Sequence, residues 1–98
     1  MSEPDTIGGG TLKLIALDID AEAAHRVAAA LQAHVRREDL RAFGASAWIA
    51  FTNAAPSDIR DWLSPHLRGG ESLLVTEFER WSSRGDAIDR RWMLRRGH

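Results

Sequence analysis

The chain has 98 residues, of which 13 are Lys or Arg and 14 are Asp or Glu, so its formal net charge is -1. This length predicts a single domain, and a hydrophobic content of 44% is typical of a globular protein rather than a disordered one. The lack of cysteine excludes disulfides, thiolate metal sites and a cysteine nucleophile. No apolar run approaches the roughly 20 residues that span a bilayer, and the acidic N-terminus has no apolar signal core. We therefore expect a cytoplasmic protein that does not bind membranes.

The first third of the chain predicts a tail, a strand and a helix. Residues 1–10 end in three consecutive glycines, so we expect a flexible N-terminal tail followed by one domain over residues 11–98. The apolar, partly β-branched run over residues 11–19 predicts a buried strand. Asp20 is suited to cap the next helix, which the helical spacing of apolar residues places at 21–35.

The middle of the chain predicts a β-hairpin and a second helix. Loose alternation of apolar and polar residues predicts antiparallel strands at about 39–43 and 47–52. The sequence Gly-Ala-Ser at 44–46 supplies the turn between them. Pro56 is well placed in the first turn of a helix, and Pro65 ends that helix near Ser64.

The last third of the chain predicts one more strand and a short helix. The strand covers residues 72–79, and Asp86 is predicted to cap a helix in which Ile88 and Trp92 share one face. The resulting order, β-α-β-β-α-β with a C-terminal helix, predicts an α+β fold with a ferredoxin-like antiparallel sheet and two helices on one face. Either the C-terminal segment or a second copy must cover the other face, and we expect a homodimer that buries it.

Two carboxylates follow the first predicted strand. Asp18 and Asp20 could hold Mg²⁺ through oxygen ligands and present it to a phosphate group. The alternative is structural: Asp20 caps the following helix, and Asp18 is a solvated strand end.

The charges are distributed unevenly along the chain. Residues 1–24 contain five acids and one base, whereas residues 78–98 contain six arginines and three acids. Arginine is a good bidentate phosphate ligand, so this basic end predicts a nucleic-acid surface. The candidate ligands are Arg80, Arg84, Arg90 and Arg91. The alternative is a solvated charged helix, and Trp81 either stacks on bases or covers the sheet.

Four short motifs occur in a characteristic order. They are LIALDID (14–20), SAWI (46–49), IRDWL (59–63) and LLVTE (73–77). Together, over about residues 12–95, they resemble the SinR-like group of small proteins, which are relatives of the CRISPR-associated integration-subunit nucleases. The resemblance implies a ferredoxin-like homodimer. It also implies that Asp18 matches the aspartate that binds a divalent cation between two protomers in those relatives.

Two hypotheses follow. In the first, the chain is a Mg²⁺-dependent phosphodiesterase (an endonuclease on RNA or DNA), with Asp18 as the catalytic metal ligand. In the second, it is a non-catalytic dimeric interaction module with a protein partner, such as an antitoxin-like or mobile-element accessory protein. The resemblance favours a nucleic-acid function, whereas the residues singled out all have adequate structural explanations.

Overall fold

The computed structural model describes residues 10–97, so the predicted tail lies outside the described residues except for Gly10. The predicted order of strands and helices is confirmed, and the fold is α+β. In chain order the elements are β1 (Thr11–Asp18), α1 (Ala21–His34), a 3-10 turn (Arg37–Asp39), β2 (Leu40–Ala42), β3 (Ala47–Thr52), α2 (Pro56–Leu63), a second 3-10 turn (Ser64–His66), β4 (Ser72–Phe78) and α3 (Arg90–Gly97).

The four strands form one antiparallel sheet in the order β2-β3-β1-β4. β1 lies in the interior of the sheet, where Leu14 is opposite Ile49 of β3 on one side and Thr76 of β4 on the other. The predicted hairpin is confirmed, with Leu40 of β2 opposite Ala50 of β3. Because all neighbours are antiparallel, β1 and β2 run in the same direction with β3 between them, and α1 makes the crossover.

One face of the sheet is covered by α1 and α2. The cap of α1 is as predicted, since the Asp20 carboxylate accepts a hydrogen bond from the Ala23 backbone N–H at 2.8 Å. Ala23, Val27 and Leu31 recur every four residues and are fully buried, which fits the periodicity of a helix packed on a sheet. From the sheet, the fully buried Ile15 joins Val27 and Leu31 in the same apolar cluster.

The opposite face is covered by the C-terminal part of the same chain. A second apolar cluster joins Leu12 and Ile49 of the sheet to Trp92 and Met93 of α3. The partly buried side chains packed against it include Phe78 and Trp81. Of the two predicted covers for this face, the C-terminal segment is therefore the one found. The homodimer stays a prediction: the central apolar residues of this face are already buried within one chain, whereas Leu74, opposite Ala16, is 64% exposed.

Trp92 is the residue that holds α3 against the sheet. Its side chain is fully buried, with 0% exposure, and the indole N–H donates a hydrogen bond to the Glu38 carbonyl. The guanidinium groups of Arg41 and Arg96 lie over the ring, at 5.2 and 5.1 Å from its centroid. A cation placed this way is attracted by the negative ring face, so the tryptophan is fixed by burial, a hydrogen bond and two cations.

A buried carboxylate makes a second contact that holds α3 in place. The Asp39 side chain is 3% exposed and accepts a hydrogen bond from Arg96 Nε at 2.9 Å. Arg36 donates to its other oxygen at 3.1 Å. A buried charge requires such partners, so Asp39 ties α3 to the 3-10 turn before β2.

The prediction that Asp86 caps the last helix is wrong, because the cap is Asp89, one turn further along the chain. The helix begins at Arg90 rather than after Asp86, and Asp89 Oδ1 accepts a hydrogen bond from the Trp92 backbone N–H at 3.1 Å. Asp89 is also paired with Arg41, whose Nε lies 3.3 Å from Oδ2. The backbone hydrogen bond from Trp92 and the nearby Arg41 guanidinium lower the pKa of Asp89.

We predict that Asp89→Ala lowers the free energy of unfolding, because it removes the side chain that caps α3. The matched control is Asp86→Ala, which removes an exposed aspartate that does not cap α3. Urea denaturation followed by circular dichroism measures both variants. Equal destabilisation by the two changes would contradict the assignment of Asp89 as the cap.

Candidate anion-binding groove and neighbouring cavity

The structure places Asp18 at the exposed end of β1, opposite Ser72 of β4. The neighbouring Asp20 caps α1, and its backbone N–H donates to Glu71 Oε2 at 3.1 Å. Within residues 10–97 no group of three or more acidic or histidine side chains is placed to hold a metal ion. Asp18 therefore offers one carboxylate in a single protomer, and the prediction that it binds Mg²⁺ depends on ligands from a second copy.

Two of the four predicted phosphate ligands are brought together. Arg80 follows β4 and Arg90 begins α3, and both line one shallow groove of about 450 Å³. Both residues are exposed, and neither forms an ion pair with an acidic residue in the described chain. We call this feature the arginine groove. Its other lining residues are Glu79, Trp81, Ser82, Ser83 and Leu94.

The other predicted ligands lie outside the arginine groove. Arg84 lines a separate cavity on the covered face of the sheet, and Arg91 is exposed on α3. Arg96, which the sequence did not single out, lines a depression beside Arg80 near the start of β1. However, Arg96 is held by Asp39 and Trp92, so its main contacts are structural.

Trp81 lies between the arginine groove and the sheet. It packs against the apolar cluster around Trp92 and also lines the arginine groove. The interpretation that Trp81 covers the sheet is therefore confirmed. Because its side chain is only partly buried, part of it is also accessible to a ligand in the groove.

The predicted metal ligand and the predicted phosphate ligands lie toward opposite ends of the sheet. Asp18 is opposite Ser72 at the start of β4, whereas Leu12 is opposite Phe78 at its end. Arg80 comes two residues after Phe78. Six residues of strand span roughly 20 Å, so a phosphate in the arginine groove is far from the Asp18 carboxylate of the same protomer.

An apolar cavity of about 320 Å³ lies on the same face of the sheet, under the segment 79–89. Its walls include Leu14, Phe43, Ile49, Phe78, Ile88 and Met93, and Ser83 and Arg84 also line it. The Oγ atom of Ser83 is buried and has no hydrogen-bond partner in the described chain. Buried hydroxyl groups are normally paired, so this one is an exception to the rule.

A buried lysine was also missed by the sequence analysis. Lys13 of β1 is almost fully buried, and its Nζ donates to the Thr52 carbonyl at 2.8 Å and lies 3.3 Å from Glu77 Oε1. This pair is a structural contact between β1, β3 and β4.

Comparisons of the chain with family models, with curated proteins and with solved structures find no match. The relation to the SinR-like group therefore stays a prediction from the four sequence motifs. None of the helices within residues 10–97 is long and apolar enough to cross a membrane.

Proposed function

We propose that this chain is a ferredoxin-like, SinR-like protein that binds single-stranded nucleic acid at the arginine groove. The observation that supports the proposal most is the convergence of Arg80 and Arg90 beside Trp81. The antiparallel sheet with α1 and α2 on one face supports the ferredoxin-like assignment.

The chemistry of the groove fits a phosphate backbone. Each guanidinium can donate two parallel hydrogen bonds to phosphate oxygens, and the partly exposed Trp81 offers an aromatic surface to a base. Glu79 lines the same groove and repels a phosphate, so the binding surface is restricted to the side of Arg80 and Arg90. Phosphate and stacking contacts carry little sequence information, so we expect binding that tolerates many sequences.

The geometry of a single protomer agrees best with binding of a nucleic acid without its hydrolysis. The Asp18 carboxylate lies roughly 20 Å along the sheet from the arginine groove, on the strand spacing given above. Metal-assisted cleavage requires the metal and the scissile phosphate in one site. The Mg²⁺-dependent phosphodiesterase therefore needs a second copy that brings its own Asp18 to the nucleic acid.

We expect the double variant Arg80→Ala/Arg90→Ala to bind a labelled single-stranded RNA at least about tenfold more weakly at low salt. Each lost phosphate contact reduces the slope of log affinity against log salt by about 0.7, so the slope should fall by about 1.4. Fluorescence anisotropy at several salt concentrations measures both quantities.

The matched control is Arg60→Ala/Arg68→Ala, which removes the same charge from two exposed arginines outside the arginine groove. Equal losses in the two double variants would contradict a specific groove, and so would a flat salt response of the wild type. The same RNA incubated with Mg²⁺ or EDTA tests cleavage. Mg²⁺-dependent cutting that is lost in Asp18→Ala would replace the binding proposal with the phosphodiesterase.

A dimeric interaction module is a second candidate, and the free edge of β4 favours it. β4 has seven residues and pairs only with β1 among the described strands. Its Leu74 is 64% exposed, the highest value among the large exposed apolar side chains. A long apolar edge is a surface on which another strand can pair, so the proposed homodimer would form by pairing of two β4 strands.

We predict that Leu74→Lys weakens self-association, since a lysine on an edge strand opposes strand pairing. The matched control is Leu94→Lys on α3, because Leu94 is 55% exposed and is not part of the sheet. Sedimentation velocity over a range of concentrations measures the oligomeric state. A dimer that is unaffected by Leu74→Lys but dissociated by Leu94→Lys would contradict pairing through β4.

A further inference from the structure

We propose that the apolar cavity under segment 79–89 is a binding site for a small monocarboxylate with an apolar body. This inference does not depend on the proposed nucleic-acid function. The cavity lies beside the arginine groove and shares Trp81, Ser82 and Ser83 with it, and Arg84 is its charged residue.

The size and walls of the cavity suit the apolar body of such a ligand. Its volume of about 320 Å³ is within the usual range of small-molecule sites, which begins near 300 Å³. The floor is formed by Leu14 and Ile49 of the sheet, and Ile88 and Met93 close it from the C-terminal side. Methionine provides an adaptable apolar surface and the isoleucines add rigid apolar walls, so the cavity favours an aliphatic chain over a polar ring.

The polar residues define which end group the ligand carries. Arg84 is exposed while lining the cavity, so its charge is at the mouth, and no acid of the described chain pairs with it. Ser83 contributes a buried Oγ without a partner. A carboxylate at the mouth would accept charge-assisted hydrogen bonds from the Arg84 guanidinium, whereas the Ser83 hydroxyl is buried beyond the reach of a ligand. The combination of one cation at the mouth and apolar walls therefore selects an amphipathic anion.

The arrangement argues against a second protein chain as the occupant. The cavity is a depression between the sheet and the chain's own residues 81–88, a shape that fits a compact molecule better than a flat protein surface. A nucleobase would need several hydrogen-bond partners on its edges, and the walls are mainly apolar. A compact amphipathic molecule fits both the shape of the cavity and its apolar walls.

Decanoate is the test ligand, used below the concentration at which it forms micelles. We expect saturable shifts of the Ile49, Ile88 and Met93 methyl signals in NMR spectra of the full chain. The Ile15 and Ile59 methyls are the internal control, because both residues are buried in the cluster on the other face of the sheet. Decan-1-ol, which has the same chain length without the charge, should bind about tenfold more weakly, since it lacks the charge-assisted contact to Arg84.

Three variants separate the contributions of the polar residues. Arg84→Ala should reduce the affinity for decanoate to that for decan-1-ol, and Arg91→Ala, which removes an exposed arginine from α3, should leave it unchanged. Ser83→Ala should leave the affinity for decanoate unchanged, because the Ser83 hydroxyl has no surface that the ligand can reach. Non-saturating shifts, equal affinity for acid and alcohol, or equal effects of Arg84→Ala and Arg91→Ala would each overturn the proposal. None of these outcomes bears on RNA binding, which is tested with Arg80 and Arg90.

Discussion

The burial of Trp92 against the sheet, in contact with Arg41 and Arg96, is the interaction on which the covered face of the sheet depends. The sheet presents apolar residues on both faces, and α1 and α2 cover only one of them. Docking of Trp92 brings α3 onto the second face, and the ion pair of Asp39 with Arg96 holds the helix there. Burial of a large aromatic side chain contributes several kcal/mol, about 3–5 by the usual cost of its removal. This one residue therefore makes the second layer of the fold stable.

The candidate sites follow from that docking. Arg80 and Arg90 are ten residues apart in the chain, and they line one groove because segment 79–89 folds back over the sheet before α3 begins. The same segment forms the roof of the apolar cavity and contains Ser83 and Arg84. Both proposed sites are thus products of the C-terminal segment, whereas Asp18 lies at the other end of β1.

The regular elements were predictable because their signals are local. β1 and α1 agree with the prediction to within one residue, since apolar periodicity and a capping aspartate mark them directly. The contacts that define the sites are not local. Asp39 and Arg96 are 57 residues apart, and the cavity walls come from three strands, a turn and the C-terminal segment. Nor could sequence decide between α3 and a second copy as the cover, because both would bury the same apolar side chains.

The most direct test of the account is hydrogen exchange at the indole N–H of Trp92, measured by NMR on the full chain. The indole is fully buried and donates to the Glu38 carbonyl, so its exchange should be far slower than that of the partly exposed Trp81. The Leu94→Ala variant, which changes only an exposed residue of α3, should preserve this protection. Exchange of the Trp92 indole as fast as that of Trp81 would show that α3 is not docked, and both proposed sites would then lose their structural basis.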